Sequence, residues 1–293
     1  MNGLLIVDKP AGWTSHDVVG RLRRALGERR IGHGGTLDPM ATGVLPVFVG
    51  RATRAVPFCE NDEKEYVARF RPGVTTDTQD ITGSIVARSD RLPDRQELLG
   101  VLPEFTGKIV QIPPMYSAVK VQGKKLYELA RKGLEVDRKP REITIYALTA
   151  EEWDGTDVIL RVRCSKGTYI RTLCHDIGQR LGCGGCLAGL RRTAAGRFSL
   201  ADCVTMDQIL EAAEQGKAEE LLIPVDSLFD CPAVTVAGGD MKRCLNGNPF
   251  SCAGLADGYY RVYGEDGGFL LLGSCADGTM STVKSFFEAG DGV

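Results

Sequence analysis

The chain has 293 residues, 43% hydrophobic and 25% charged, and a net charge of −2: enough for one large domain or a main domain with a small companion. No apolar run is long enough to span a membrane, and the opening MNGLLIVDKPAGW, with no basic stretch and an apolar run of only LLIV, argues against a secretion signal. Ten cysteines are too sparse for a disulfide framework at this length and point to a reducing cytoplasm.

In chain order, GLLIVDKP reads as a short buried strand that stops at Pro10. Thr14 or Ser15 then caps a helix, with Asp17 completing a Thr-x-x-Asp capping box. Val18, Val19, Leu22 and Leu26 form its apolar stripe, and Arg21, Arg23 and Arg24 lie off that stripe. The glycine-rich GHGGTLDPMATGVLPV follows as a loop and leaves through the strand-like GVLPVFVG. EYVARFRPG and GSIVAR read as strands flanking the polar loop VTTDTQDITG. LPDRQELLGVLPEF is a short helix between prolines, QIPPMYSAVKVQG an extended, proline-stiffened stretch, and KKLYELARKG a helix closed by Gly133. REITIYALTAEEW and TDVILRVRCSKG pair across the turn at Asp154 and Gly155, and TYIRTLCHDIGQRLG is a helix ended by Gly182. Past residue 200, a short helix in MDQILEAAEQG precedes the strands AVTVAGG, GYYRVYG and GFLLLGSC, the pattern of a small β-barrel or sandwich. The expected fold is therefore a mixed α/β (α+β) body over residues 1–225, with antiparallel strand pairs, and a small β domain over 226–293.

Charge divides the same way. Residues 1–197 hold 31 Lys and Arg against 23 Asp and Glu (+8), and residues 198–293 hold 5 against 15 (−10). Between 161 and 197 stand Arg161, Arg163, Lys166, Arg171, Arg180, Arg191, Arg192 and Arg197 against Asp176 alone, an excess that can neutralise phosphates or simply form a solvated face.

Several chemistries are disfavoured. The glycine loop lacks the spacing of a nucleotide-phosphate loop, so no nucleotide cofactor is expected. Cys183 and Cys186 form a lone C-x-x-C near Cys174 and His175 with no second pair, which makes a zinc site a minor alternative. His16, His33 and His175 are the only histidines, and none sits in a legible catalytic triad. Asp38 remains. An Asp before Pro is ordinarily a turn former, but Pro39 restricts its backbone to extended geometry, and Gly32, Gly34, Gly35 and Gly43 let another chain segment approach. With no second acid in the loop, a nearby cation would keep Asp38 ionised, which suits a nucleophile better than acid–base pairing.

GHGGTLDPMATGVLPV, together with LLIVDKPAGWTS, KEYVARFRPGVTTDTQD, QIPPMYSAVKVQGKKLYELARKG, CSKGTYIRTL and LGCGGCLAGLRRTAAGRF, resembles the TruB family of pseudouridine synthases over residues 3 to about 230. The resemblance implies a largely antiparallel pseudouridine-synthase sheet flanked by helices, a small PUA-type β domain, and isomerisation of the T-loop uridine at position 55 of tRNA without metal or cofactor. It implies a cytoplasmic monomer that acts on the tRNA T arm without a protein partner. By the same resemblance Asp38 attacks a flipped-out uridine, Tyr66 stacks on its base and accepts a proton late in the reaction, Arg171 pairs with Asp38, and Leu190 packs against the base. Lys9 and Pro10 buttress the site, His33 holds the rearranged RNA loop, and Asp80 and Tyr169 join as further site residues. Cys186 stands where relatives often have histidine, and the acidic tail departs from a phosphate-binding role. Neutralising Arg191 and Arg192 together is accordingly expected to weaken tRNA binding more than deleting residues after about 225. A catalytically silent tRNA-binding or tRNA-folding protein is the rival; it would have no need to keep Asp38, Tyr66 and Arg171 together.

Overall fold

The protein, seen in a computed structural model that describes residues 1–59, 63–117, 119–121 and 123–287, is built on one ten-stranded mixed sheet and a separate five-stranded sheet near the C-terminus. Across the large sheet the strands run in the order Val204–Thr205, Gly3–Lys9, Thr42–Val49, Gly185–Ala195, Lys64–Pro72, Val158–Cys164, Arg141–Trp153 and Gly107–Gln111. Ile31–His33 pairs with Thr42–Val49, and Phe198–Ser199 pairs with Gly185–Ala195. Most neighbours are antiparallel; the exceptions are Gly3–Lys9 with Val204–Thr205 and Thr42–Val49 with Gly185–Ala195.

The continuous apolar run of the first strand has a simple cause: both faces are covered. Leu5 and Val7 enter one core with Val18 and Leu22 of helix Ser15–Leu26 and Ile177 of helix Ile170–Arg180. Leu4 and Ile6 enter a second core with Phe48, Phe198, Phe229, Leu272 and Phe286. The C-terminal sheet, ordered Ala233–Thr235, Gly258–Tyr263, Phe269–Ala276, Thr279–Ser285 and Phe250–Ser251, thus packs against the back of the large sheet and keeps a third core of its own around Val262, Leu271 and Met280. The expected mixed α/β class with a small C-terminal β unit matches this architecture.

Local expectations hold where capping chemistry was explicit. Thr14 is the cap, its hydroxyl accepting from the Asp17 N–H while the Asp17 carboxylate accepts from the Thr14 N–H. The long hairpin closes through Asp154, whose Oδ1 accepts the N–H groups of Thr156 and Asp157. In QIPPMYSAVKVQG, Ala118 and Gln122 lie outside the described residues.

Gly185–Ala195, which lies within the basic run of residues 161–197 and carries no predicted element, is a central strand. Its glycines and arginines hide the alternation that marks most strands. Gly43 is what lets it dock: at φ +98, a Cβ there would lie 2.2 Å from the Arg192 carbonyl oxygen. Gly43→Ala therefore combines left-handed strain with a backbone clash and should cost roughly 2–4 kcal/mol. A melting midpoint within a degree or two of wild type would remove this reading.

Candidate active site

Asp38 sits in the turn between two paired segments, with Ala41 donating its N–H to the Asp38 carbonyl. The loop is nailed down from below by Lys9, a fully buried side chain whose ammonium donates to the carbonyls of Pro10, Trp13 and Pro39. Burial pushes that ammonium down to about 8, with the Asp38 charge opposing. Ser15 fastens the other side, its hydroxyl donating to the Leu37 carbonyl and accepting from the Leu37 N–H. Lys9 thus fastens the Asp38 loop from beneath, with the Pro10 carbonyl as one of its acceptors, and neither residue lines the cavity above.

The cation for Asp38 comes from 133 residues away. Arg171, in the first turn of helix Ile170–Arg180, places Nε 2.9 Å from Asp38 Oδ2 and NH2 3.3 Å from Oδ1. The guanidinium is only 6% exposed and is aimed by the carbonyls of Tyr116 (2.7 Å) and Thr78 (3.4 Å). The Asp38 carboxylate remains 36% exposed, so it faces open space while tethered.

The loop itself holds no second acid, but the fold brings one from elsewhere: Asp80 places Oδ2 3.8 Å from the same guanidinium. Its other oxygen, Oδ1, accepts from Thr78 Oγ1, the Thr82 N–H and Thr82 Oγ1, so Asp80 chiefly shapes its own turn. Gln79 beside it adopts φ +64 and takes a hydrogen bond from Thr172 of the helix carrying Arg171. Burial pushes the Asp38 carboxyl up from the ordinary carboxylate value, Arg171 pulls it down, and Asp80 adds to the rise.

Above the pair lies a cavity of about 430 Å³, lined by Tyr66, Tyr169, Leu190 and Arg192 as well as Asp38 and Arg171. Its size suits one nucleoside. Tyr66, from strand Lys64–Pro72, is buried, and burial pushes its phenol up despite the charge of Arg192. Tyr169 is locked by Gln111, whose amide oxygen accepts the Tyr169 N–H and whose amide nitrogen donates to the Tyr169 carbonyl.

Adjacent residues on a strand face opposite ways, and this separates Arg191 from Arg192. Arg192 is 1% exposed, donates to the carbonyls of Val44 and Gly35, and helps form the cavity wall. Arg191 points away and pairs with Asp8 at 2.8 Å. The two do not form a phosphate-facing pair. The wider basic run is likewise committed: Arg161 pairs with Glu65 and Glu151, Arg163 with Glu63, Arg180 with Glu104 and Arg197 with Asp230. Their acids lie elsewhere in the chain, so a local count of charge overstated the free positive surface. The expected double neutralisation is accordingly an unsuitable probe of RNA binding, because removing Arg192 opens the cavity wall.

His33 does not reach the cavity. It stands edge-on to His16 at 5.3 Å, and burial beside His16 and Arg192 pushes its imidazole down to about 4. His16, which had no assigned role, instead lines a second opening of about 570 Å³ that shares Thr36, Leu37, Asp38, Ser117 and Arg171 with the first. Ser117 was also missed; it is 5% exposed, lines both cavities, and its hydroxyl has no protein partner. Among the described residues no three of His, Cys, Asp and Glu converge as metal ligands. Burial pushes the Cys186 thiol up to about 11 and raises Cys174 further, which makes both protonated packing groups.

Sequence comparisons match residues 23–170 to a family described as TruB family pseudouridylate synthase (N terminal domain) and residues 171–230 to the tRNA pseudouridylate synthase B C-terminal domain. A protein of Clostridium kluyveri called tRNA pseudouridine synthase B is 42% identical over 98% of this chain and 100% of its own. One of the same name from Syntrophotalea carbinolica is 48% identical over 88% of this chain and 84% of its own. Among solved structures, a chain of a Cbf5-Nop10-Gar1 complex superposes with a TM-score of 0.72 at 28% identity, covering 98% of this chain and 85% of that one.

Proposed function

This chain belongs to the TruB family of pseudouridylate synthases, isomerising uridine to pseudouridine in tRNA, and we propose that its target is the T-loop uridine at position 55, with Asp38 as nucleophile. The observation that carries the assignment is the Asp38–Arg171 pair at 2.9 Å, on the floor of a nucleoside-sized cavity walled by Tyr66 and Leu190. The base lies out of reach inside a folded tRNA arm, so it must be turned out of its stack at a cost of a few kcal/mol. Tyr66, Tyr169 and Leu190 offer the apolar and aromatic contacts that offset this cost.

In the reaction the N1–C1′ bond breaks, the base turns, and a C5–C1′ bond forms. The C5 proton leaves and N1 gains one, so atoms balance with no redox partner. Asp38 carries the covalent intermediate between these steps. Its carboxylate needs to be ionised and aimed, and the two-point contact from Arg171 supplies both. Burial holds Tyr66 as the neutral phenol, so it presents its ring face to the base at the outset and can take the C5 proton late in the reaction only after losing its own. Lys9 and Pro10 keep the loop in place, Asp80 steadies Arg171, and His33 backs His16 at the edge of the outer opening. The division into a catalytic unit, 1–225, and a small acidic unit, 226–293, is part of the same reading; it is supported by the change of sheet between Thr205 and Ala233.

Position 55 is tested with unmodified transcribed tRNA carrying tritium at uridine C5. One equivalent of tritium should be released per tRNA, and none when the uridine at 55 is replaced by cytidine. Continued release from the replaced tRNA would move the target elsewhere.

A further inference from the structure

If the basic run of residues 161–197 is largely tied up in ion pairs and carbonyl contacts, the phosphates flanking the target must be met elsewhere. We propose that the RNA backbone next to the target nucleotide lies in the groove between helix Ser15–Leu26 and the Gly12–Trp13 turn, its phosphates held by Arg21 and Arg24. This inference rests on the tRNA reading above and adds to it the surface that takes the phosphodiester chain.

Four observations point there. Arg21 and Arg24 are exposed and, among the described residues, neither has an acid or carbonyl partner, whereas neighbouring Arg23 donates to the Ile31 carbonyl and Arg30 pairs with Glu28. Three residues apart on a helix, the two stand on one face with Cβ atoms about 5–6 Å apart, close to the separation of successive phosphates. They line a groove of about 390 Å³ with Trp13, His16 and Asp17. His16 also lines the opening that contains Asp38 and Arg171, so the groove adjoins the reaction centre.

The groove holds one acid, Asp17, which the hydroxyl and N–H of Thr14 keep ionised, so with Arg21 and Arg24 its net charge is +1 and still favours a phosphate. The groove is also kept open. Gly20 sits inside the helix, where glycine weakens helical structure relative to alanine, yet a Cβ there would meet nothing within 4 Å. Packing does not require a glycine at this position, whereas access to the groove benefits from one.

The test measures binding of transcribed tRNA across salt concentrations, with tritium release in parallel, for wild type, R21Q/R24Q and G20Q. Each lost phosphate contact lowers the slope of log affinity against log salt by roughly 0.7–0.9, so the double variant should lose about 1.4–1.8 in slope. Affinity should fall about tenfold near physiological salt, with the loss falling on KM rather than kcat. G20Q keeps both arginines, so it should weaken binding by obstruction while leaving the melting temperature equal or higher. Unchanged affinity and slope in R21Q/R24Q, with wild type active, would overturn the groove and leave the proposed function intact. A loss of kcat alone would also overturn it. Wild type that binds tRNA but releases no tritium would instead overturn the proposed function.

Discussion

Asp38→Asn should bind tRNA within a few-fold of wild type and release tritium from C5-labelled uridine at least about 10⁴-fold more slowly, because the nucleophile is gone while its shape remains. Asparagine can keep one contact with the Arg171 guanidinium through its amide oxygen, so the cavity should not collapse. The comparison that gives this result force is Asp80→Asn, since both acids approach the same guanidinium. The structure distinguishes them. Asp80 is 6% exposed and has one oxygen consumed by three donors from its own turn, whereas the Asp38 carboxylate opens onto the cavity. Asp80→Asn should therefore lower the rate by about 10- to 100-fold, through looser positioning of Arg171. If Asp38→Asn turned over at even a hundredth of the wild-type rate, Asp38 would not be the nucleophile. Equal and complete loss in both variants would leave the two acids unresolved by rate, and trapping of a covalent RNA adduct would then have to separate them. The same pair of variants tests the silent-protein alternative, which requires wild type itself to release nothing.

What was legible in the sequence was local. The first helix and its cap could be read because Thr14 and Asp17 lie three residues apart, and the long hairpin because Asp154 and Gly155 interrupt two β-rich runs. Asp38 stood out because its constraints, Pro39 and the glycines, are its own neighbours. What was not legible depended on distance. Nothing near Asp38 announces Asp80, and nothing near Arg161 or Arg191 announces Glu65 or Asp8; a run of positive charge in one segment was neutralised by acids from others. Gly185–Ala195 escaped notice because a strand buried between two others, with a glycine at each close approach, has no reason to alternate. The glycines of the Asp38 loop illustrate the same limit. Their permissiveness could be read, but its chief beneficiary at Gly43 is the neighbouring strand rather than a ligand. Strand Thr279–Ser285 and helix Gly238–Leu245 carried no clear signal either, the first being short of large apolar residues and the second beginning on two glycines. The assignment of roles to Tyr66 and Leu190 came from family resemblance, and the fold then brought both into one cavity with Asp38.

Arg171→Gln should lower kcat/KM by about 10²–10³-fold at neutral pH, and its pH dependence should carry more information than its size. In the wild type, burial already holds the Asp38 carboxyl above the ordinary carboxylate range, with Arg171 as the main opposing influence and Lys9 a weaker one. Removing the guanidinium leaves Asp38 half-enclosed and facing Asp80 without its cation. Both effects favour the protonated acid, so its pKa rises further. Protonated Asp38 is not a nucleophile, so activity falls as pH drops through the Asp38 pKa. The acid limb of the kcat/KM profile must therefore move to higher pH in Arg171→Gln, and part of the lost rate should return as pH is raised. Arg171→Lys separates charge from geometry. An ammonium restores the field but cannot contact both carboxylate oxygens while also donating to the Tyr116 and Thr78 carbonyls. Its acid limb should return most of the way to the wild-type position, while a rate deficit of about tenfold or more persists at every pH. An acid limb that stays put in Arg171→Gln would mean that the guanidinium only positions the helix, and that Asp38 owes its ionisation to something else, with Lys9, fully buried beneath the same loop, the next residue to substitute.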